Sequence, residues 1–322
     1  MRIQFGYVAM SMELANASPS KTMTATQFEK IEDHEAGLRK LERIAKTNLH
    51  NCLRLLKHNL AYQISFFRLS SKLVPLVNHP LTEGWKYELA IAEELQAVGE
   101  FASEHQMRID FHPDHFVVLN SEAKEITRRS LQTLLYHYKL LKGMEIDPRH
   151  RCVLHVGGKK KGVEAGLEQF IENTASIPKS LLSMIMLEND DKSYTIDDVL
   201  YLGEKLAIPV VLDIHHHDVL HRSKSLQETW QRIVATWEDS PLPVKIHLSS
   251  PLSGEDDPRH HDYINADRFI AFLHEIGADA VDHLHVMIEA KKKDLALFQL
   301  MKDLAEYDEI TVVSKSAVEF NP

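Results

Sequence analysis

"VVLDIHHHDVL", residues 210–220, opens like a buried strand and closes on a cluster of metal-ligand side chains. Pro209 precedes three apolar positions of the kind a parallel sheet covers on both faces. Asp213, His215, His216, His217 and Asp218 then follow within six residues. Burying such groups without partners costs several kcal/mol (roughly 2–7 for a polar group, more for a charge). The question is whether other strands end in the same way.

The unit recurs along the chain. Apolar or alternating runs at 2–8 (RIQFGYV), 63–70, 107–112, 151–156, 183–188, 208–214, 243–250 and 283–290 read as strands. Each is followed by a segment of helical periodicity: about 35–60, 82–105, 121–144, 163–176, one opened by YTIDDVL (194–200), 225–238, 263–276 and 292–306. Eight alternating units imply parallel strands with right-handed crossovers. In 322 residues this favours a closed α/β barrel, the (β/α)8 or TIM barrel. The alternative is an open doubly wound sheet, but no Gly-rich phosphate fingerprint follows the first strand, and "HVGG" at 155–158 does not make one. The reading expects one domain over 1–322, with its excess length in rim loops at about 9–34 and 249–262.

Aligned, the strand ends form a series: His112, His155, Glu188, Asp213, then Lys245 and His247 on the seventh strand, and Glu289 on the eighth. His79 lies in the segment after the second. Alternation puts Val153, Met186, Val211 and Met287 on the same face, two positions earlier. The expected barrel interior is therefore an apolar plug capped by His, Glu and Asp at the C-terminal rim, where TIM-barrel sites are built. A lone strand-ending histidine is more often a hydrogen-bonded core residue. Six consecutive strands ending in this way, with almost no interleaved cation, point to metal binding instead.

Imidazole and carboxylate ligands without thiolate suit Zn²⁺, Mn²⁺ or Fe²⁺/Co²⁺. The supply exceeds one ion. Glu188 is central enough to bridge two, and His216 with His260 could hold a third. Metals about 3.5–4 Å apart are the apparatus of phosphoester hydrolysis.

Bulk properties bound the reading. The chain is 44% hydrophobic, with 20 histidines and a formal charge of −10. An acidic balance argues against nucleic-acid binding, but Lys159, Lys160 and Lys161 after strand 4, and Lys291, Lys292 and Lys293 after strand 8, put basic runs on the expected rim. The two cysteines, Cys52 and Cys152, read as buried thiols. No apolar run nears the ~20 residues of a membrane span, and "MRIQFGYVAM" reads as a strand and not a signal peptide. The expectation is a cytoplasmic monomer with no membrane partner.

With "FHPDHF", "LHVGG", "LENDD", "VKIHLSS" and "MIEAKKKD" in view, together with "FGYV", "ASPSKT", "RLSS…VPLVNHP" and "HHDY", the chain resembles the UV damage endonuclease family nearly end to end. The resemblance implies a TIM barrel like that of endonuclease IV. It also implies nicking of damaged double-stranded DNA immediately 5′ to UV photoproducts, with three divalent metals: Mn²⁺ first, with Zn²⁺, Co²⁺ or Mg²⁺ as alternatives. It implies ligands at His79, His112, His155, Glu188, Asp213, His216, His247, His260 and Glu289, with Glu188 and Lys245 catalytic and Lys245 open to carboxylation. His215 competes with His216, because Asp213 and His216 share a face only if the chain turns between them. Where the family commonly carries Gln and an aromatic after "HP", this chain has His115 and Phe116. Tyr7 is a further candidate for lesion contact, and the position of Lys159, Lys160 and Lys291 on the expected rim makes them candidates for contact with the DNA backbone. Two other activities remain open: an endonuclease IV-like enzyme for abasic sites, and a metal-dependent sugar isomerase on the same barrel. So does a non-catalytic damage-binding role with structural metals.

Overall fold

The computed structural model describes residues 1–221, 226–277 and 281–322. Eight parallel strands, β1 (Arg2–Val8), β2 (Phe66–Arg68), β3 (Arg108–Asp110), β4 (Cys152–His155), β5 (Ile185–Glu188), β6 (Val210–Asp213), β7 (Val244–Leu248) and β8 (His283–Ile288), run in the order β3-β2-β1-β8-β7-β6-β5-β4. The seam between β3 and β4 is closed by Phe111, which bridges Cys152. Its N–H donates to the Arg151 carbonyl at 2.7 Å and its carbonyl accepts from Val153 at 3.0 Å. The chain thus forms the TIM barrel that strand–helix alternation predicts.

The strands are short and buried on both faces, as expected where helices cover a parallel sheet: every residue of β5, β6 and β7 is buried. Gly6 in "FGYV" is required by close approach, since a Cβ there would meet the Phe66 carbonyl oxygen at 2.2 Å. Gly157 in "HVGG" has φ +127° and would strike Asn120, so that dipeptide serves a tight exit from β4.

Several elements differ from the sequence reading. Segment 9–34 is not all loop: a Thr24/Gln27 capping box opens helix α1 (Ala25–Glu29), which buries Phe28 against Met23 and Leu41 before α2 (His34–Ala61). The helix expected over 82–105 is split into a 3₁₀ turn (Pro80–Thr82), α3 (Tyr87–Ala90) and α4 (Ala92–Glu104), with left-handed Gly84 between the first two. Later helices are α5 (Lys124–Gly143), α6 (Val163–Thr174), α7 (Lys179–Leu182) and α8 (Ile196–Leu206). An unforeseen helix, α9 (Ile214–His221), starts directly after β6. The helix expected over 225–238 is α10 (Gln227–Ala235), and Ser225 lies outside the described residues. α11 (Ala266–Ile276) and α12 (Lys293–Leu304) follow. Beyond residue 306, where no strand is expected, β9 (Ile310–Ser314) and β10 (Ala317–Phe320) form a hairpin. β10 pairs antiparallel with Arg2–Gln4, while β2 pairs only with Tyr7 and Val8, so the hairpin completes the lower half of β1.

The barrel interior is also not a purely apolar plug. Val8, Phe66 and Met287 cluster there, apart from the main core. Against Phe66 lies an ionic layer. Lys245, with no exposed surface, donates to Asp110 at 3.1 Å, and Arg108 bonds both Asp110 oxygens at 3.1 and 3.3 Å while reaching His285 at 3.2 Å. The cations and the carboxylate compensate one another, which makes their burial tolerable. Burial opposes ionisation of Asp110, yet Arg108, Lys245 and Arg151 hold its carboxyl well below the usual range. Burial pulls Lys245 down to about 8.

Candidate metal centre

Above the ionic layer the strand ends converge. His112, His155 and Glu188 each offer one ligand atom within 4.8 Å of one another; so do Glu188, Asp213 and His216, and so do Asp213, His247 and Glu289. Glu188 links the first set to the second and Asp213 links the second to the third, so the three form one continuous rim. Glu188 is its hub: one carboxylate oxygen lies 2.6 Å from His247 Nδ1, the other 2.9 Å from His112 Nε2 and 3.6 Å from His155 Nε2.

Local backbone explains how Asp213, ending β6, and His216, on α9, come together. Because α9 begins at Ile214, the His216 N–H donates to Asp213 Oδ1 at 2.9 Å and the two side chains turn to the same centre. His215 and His216 differ in the ring nitrogens they leave unpartnered. His215 Nδ1 meets the Ser249 hydroxyl at 2.8 Å and its Nε2 meets the Asp257 carbonyl at 2.9 Å, which leaves no ring nitrogen for a metal. His216 uses only Nδ1, against the Asn189 carbonyl at 3.0 Å.

Carbonyls only accept, so ring nitrogens facing them carry the proton. His112 donates from Nδ1 to Pro113 at 3.0 Å, His216 to Asn189, and His260 to Glu289 at 2.6 Å. Each thereby turns the lone pair of Nε2 outward, the pattern by which outer partners orient metal-bound imidazoles. In His112 that lone pair faces a Glu188 oxygen at 2.9 Å, an acceptor against an acceptor. Only a proton or a cation between them removes the conflict, and burial disfavours the proton, pulling His112 down to about 4.

Charge at the rim follows the same logic. Burial would raise Glu188, but His247 and His155 hold it well below the carboxylate range. Burial would likewise raise Glu289, which Arg68 and then His247 hold low. His216 is the exception among the histidines: burial opposes its charge, but Asp213 and Glu188 raise it to about 9. Three buried atoms of the ring, His155 Nδ1, Asp213 Oδ2 and His247 Nε2, have no hydrogen-bond partner among the described residues. Unpaired lone pairs in a shared carboxylate–imidazole ring are what bound divalent cations would satisfy, so the residues fit the metals.

Other expected residues sit apart from these sets. His79 caps the 3₁₀ turn, accepting from the Leu81 N–H at 3.1 Å. His260 lies over His216, with ring centroids 6.3 Å apart. Lys245 is one step below the ring, bonded to Asp110. Tyr7 is wholly buried and its hydroxyl donates to Asn59 at 2.6 Å, so it presents no surface to a duplex. His115 and Phe116 form an exposed edge-to-face pair, with Phe116 65% exposed at the lip of a cavity of about 890 Å³ that Trp85, Tyr87 and His79 also line. Lys160 and Lys291 are exposed; Lys159 donates to the Lys192 carbonyl and Lys161 pairs with Glu122.

Two residues escaped the sequence reading. Arg68, ending β2, bonds Glu289. Asn189 grips the Asp213 backbone at both its N–H (2.9 Å) and its carbonyl (3.0 Å) while orienting His216. Asn189 stands inside "LENDD", and Arg68 ends a strand but, as a cation, carries no metal-ligand signal.

The fold and rim define a TIM barrel with a multi-ligand centre suited to divalent metals. Residues 3–321 match the family model for the UV-endonuclease UvdE, and the chain belongs to that family. The UV DNA damage endonuclease of Bacillus cereus (strain B4264) is 36% identical over 320 residues, covering 99% of this chain and all of that one. The enzyme of the same name from Bacillus thuringiensis subsp. konkukian (strain 97-27) is 36% identical over 321 residues, 99% of this chain and all of its own length. The crystal structure of SacUVDE superimposes with a TM-score of 0.82 at 31% identity, covering 94% of this chain and 98% of that one. Endonuclease IV from Thermus thermophilus shares the fold, with a TM-score of 0.53 at 13% identity over 89% of this chain and 93% of its own.

Proposed function

We propose that this chain is a metal-dependent DNA repair endonuclease that cuts the phosphodiester backbone immediately 5′ to UV photoproducts, leaving a 3′-hydroxyl and a 5′-phosphate. The observation that carries the reading is the chain of three ligand groups joined through Glu188 and Asp213, with three buried atoms that lack hydrogen-bond partners among the described residues. Membership of the UvdE family supplies the damage specificity.

Three ions, Mn²⁺ first, would be held by His112, His155, Glu188, Asp213, His216, His247 and Glu289, with His260 and His79 completing the outer positions. Divalent ions there supply an activated water and neutralise charge on the phosphoryl oxygens. The chain's own residues do the rest. Asn189 fixes Asp213 and His216, and the Pro113, Asn189 and Glu289 carbonyls hold three imidazoles in one tautomer. Lys245 and Asp110 hold β7 and β3 together beneath the ring, and Lys245 and His247, two residues apart on β7, share one face. Phe116, exposed on a rim loop, enters the stack beside the lesion, whose pairing is already weakened. His115 beside it offers a hydrogen bond to a displaced base. Lys160 and Lys291 lie on the path of the backbone, and the chain works as a monomer and one catalytic unit. No described helix is long and apolar enough to cross a membrane.

The test is a nicking assay on duplexes carrying a pyrimidine dimer, an abasic site or no lesion. Cutting at the dimer in preference to the other two supports the proposal. Cutting confined to the abasic site would move the substrate class to that of endonuclease IV.

A further inference from the structure

We propose that Arg68 and Lys293 form a phosphate-binding pair beside the metal centre, gripping a non-bridging oxygen of the damaged strand where β1, β2 and β8 meet. The proposal rests on the endonuclease reading and adds two residues to it.

Arg68 ends β2 and is paired in register with Val8 and Asp110. Its Nη1 donates to Glu289, which follows β8, and its side chain stays 16% exposed. A guanidinium carries five N–H donors. Among the described residues, the rest of this fork has no protein acceptor. Lys293 opens α12 four residues after Glu289, in the left-handed region with φ +52°. It is half-buried, yet its ammonium has no ion pair or hydrogen bond among the described residues. The Lys293 N–H returns to the Ala290 carbonyl at 3.2 Å, so a tight turn keeps the residue beside Glu289; burial and then Arg68 lower its basicity, and Glu289 opposes them.

That carboxylate is the one a metal would claim. With Glu289 serving an ion, two neighbouring cations are left short of an anion. The next carboxylate, Asp294, is turned away and occupied by the Met12 N–H at 2.8 Å, the Ser11 hydroxyl and His58 at 3.2 Å. A phosphate oxygen supplies the missing charge: Arg68 offers a planar fork and Lys293 a point charge. Because Arg68 bonds Glu289, itself in a candidate ligand group, a phosphate held by the pair would lie beside the ring.

The experiment measures kcat/KM for nicking of a dimer-bearing duplex across a sodium chloride series, with metal content determined on each protein. Lys293→Gln should lower kcat/KM roughly tenfold, keep full metal content and reduce the log–log salt slope by about 0.9, the share of one phosphate contact. Lys293→Arg should restore the slope. Arg68→Gln should act alike while retaining metal. An unchanged slope in both neutral variants overturns the pair. Loss of metal in Arg68→Gln with an unchanged slope in Lys293→Gln would reduce Arg68 to a positioning residue for Glu289 and also overturn it. Failure of the unaltered protein to cut the dimer duplex is a different result, which sinks the endonuclease reading and the pair with it.

Discussion

Glu188 and His247 meet across the barrel, carboxylate oxygen to Nδ1 at 2.6 Å, from strands β5 and β7 that are not neighbours. The contact makes Glu188 the joint between both halves of the rim. Glu188→Gln keeps the shape and removes the charge. We expect loss of bound metal and a fall in nicking rate of at least about a hundredfold, beyond the ten- to hundredfold typical of an outer partner. Metal analysis beside single-turnover rates checks this; a variant that retains both metal and rate refutes the bridging role.

Asn189 touches no ligand set through its side chain, yet it holds the Asp213 backbone from both sides. Asn189→Ala should weaken metal binding by about 10–100-fold and cost roughly 1–3 kcal/mol in denaturant unfolding for the buried groups left bare. Unaltered metal affinity would show that α9 alone sets the geometry.

His216 sits near 9 in the metal-free protein, above its ordinary 6.5. A raised folded value means that its charged form stabilises the metal-free protein fully below pH 6.5, and that this contribution is lost as pH rises through about 9. Bound metal needs the neutral ring, so uptake should release a proton at about pH 7.5 and weaken as pH falls. Calorimetric titrations of Mn²⁺ in buffers of different ionisation enthalpy measure that proton. His216→Ala should abolish its release, and release unchanged in that variant would contradict the assignment.

Asp110 is the single carboxylate that both Arg108 and Lys245 contact in the buried ionic layer. Asp110→Asn leaves two buried cations without compensation and should cost roughly 3–5 kcal/mol. Urea unfolding reads this directly. A change below about 0.5 kcal/mol, typical of a surface site, would mean that the layer is hydrated.

Phe116 is the most exposed aromatic of the rim. Phe116→Ala should leave stability within about 0.5 kcal/mol and reduce the preference for damaged over intact duplex about tenfold, the lower range of one base–aromatic contact. Competition binding with both duplexes tests it; an undiminished preference would pass lesion sensing to His115 or the cavity wall.

Much of this molecule was legible because each signal was periodic. Strand alternation put Val153 before His155, Met186 before Glu188 and Val211 before Asp213, and the barrel turns each pair inward. What escaped the reading depended on contacts distant in sequence. The "DIHHH" run looks like a strand running on, and only the start of α9 at Ile214 shows why His216 faces the centre while His215 pins the 249–262 segment. The ionic layer was missed because Asp110 and Lys245 stand 135 residues apart and neither shows its partner locally. β9 was missed because Thr311, Val312 and Val313 are all exposed, which erases the period of two. Tyr7 read as a rim contact from its place at a strand end, yet Asn59 on α2 closes over it.

The most direct test of the account strips the protein of metal and returns Mn²⁺ while following one end-labelled duplex with a single pyrimidine dimer. The account predicts no cleavage after stripping, and with Mn²⁺ a single nick directly 5′ to the dimer, ending in a 3′-hydroxyl. Equal cleavage by stripped protein, or an intact duplex with Mn²⁺ fully bound, would contradict it.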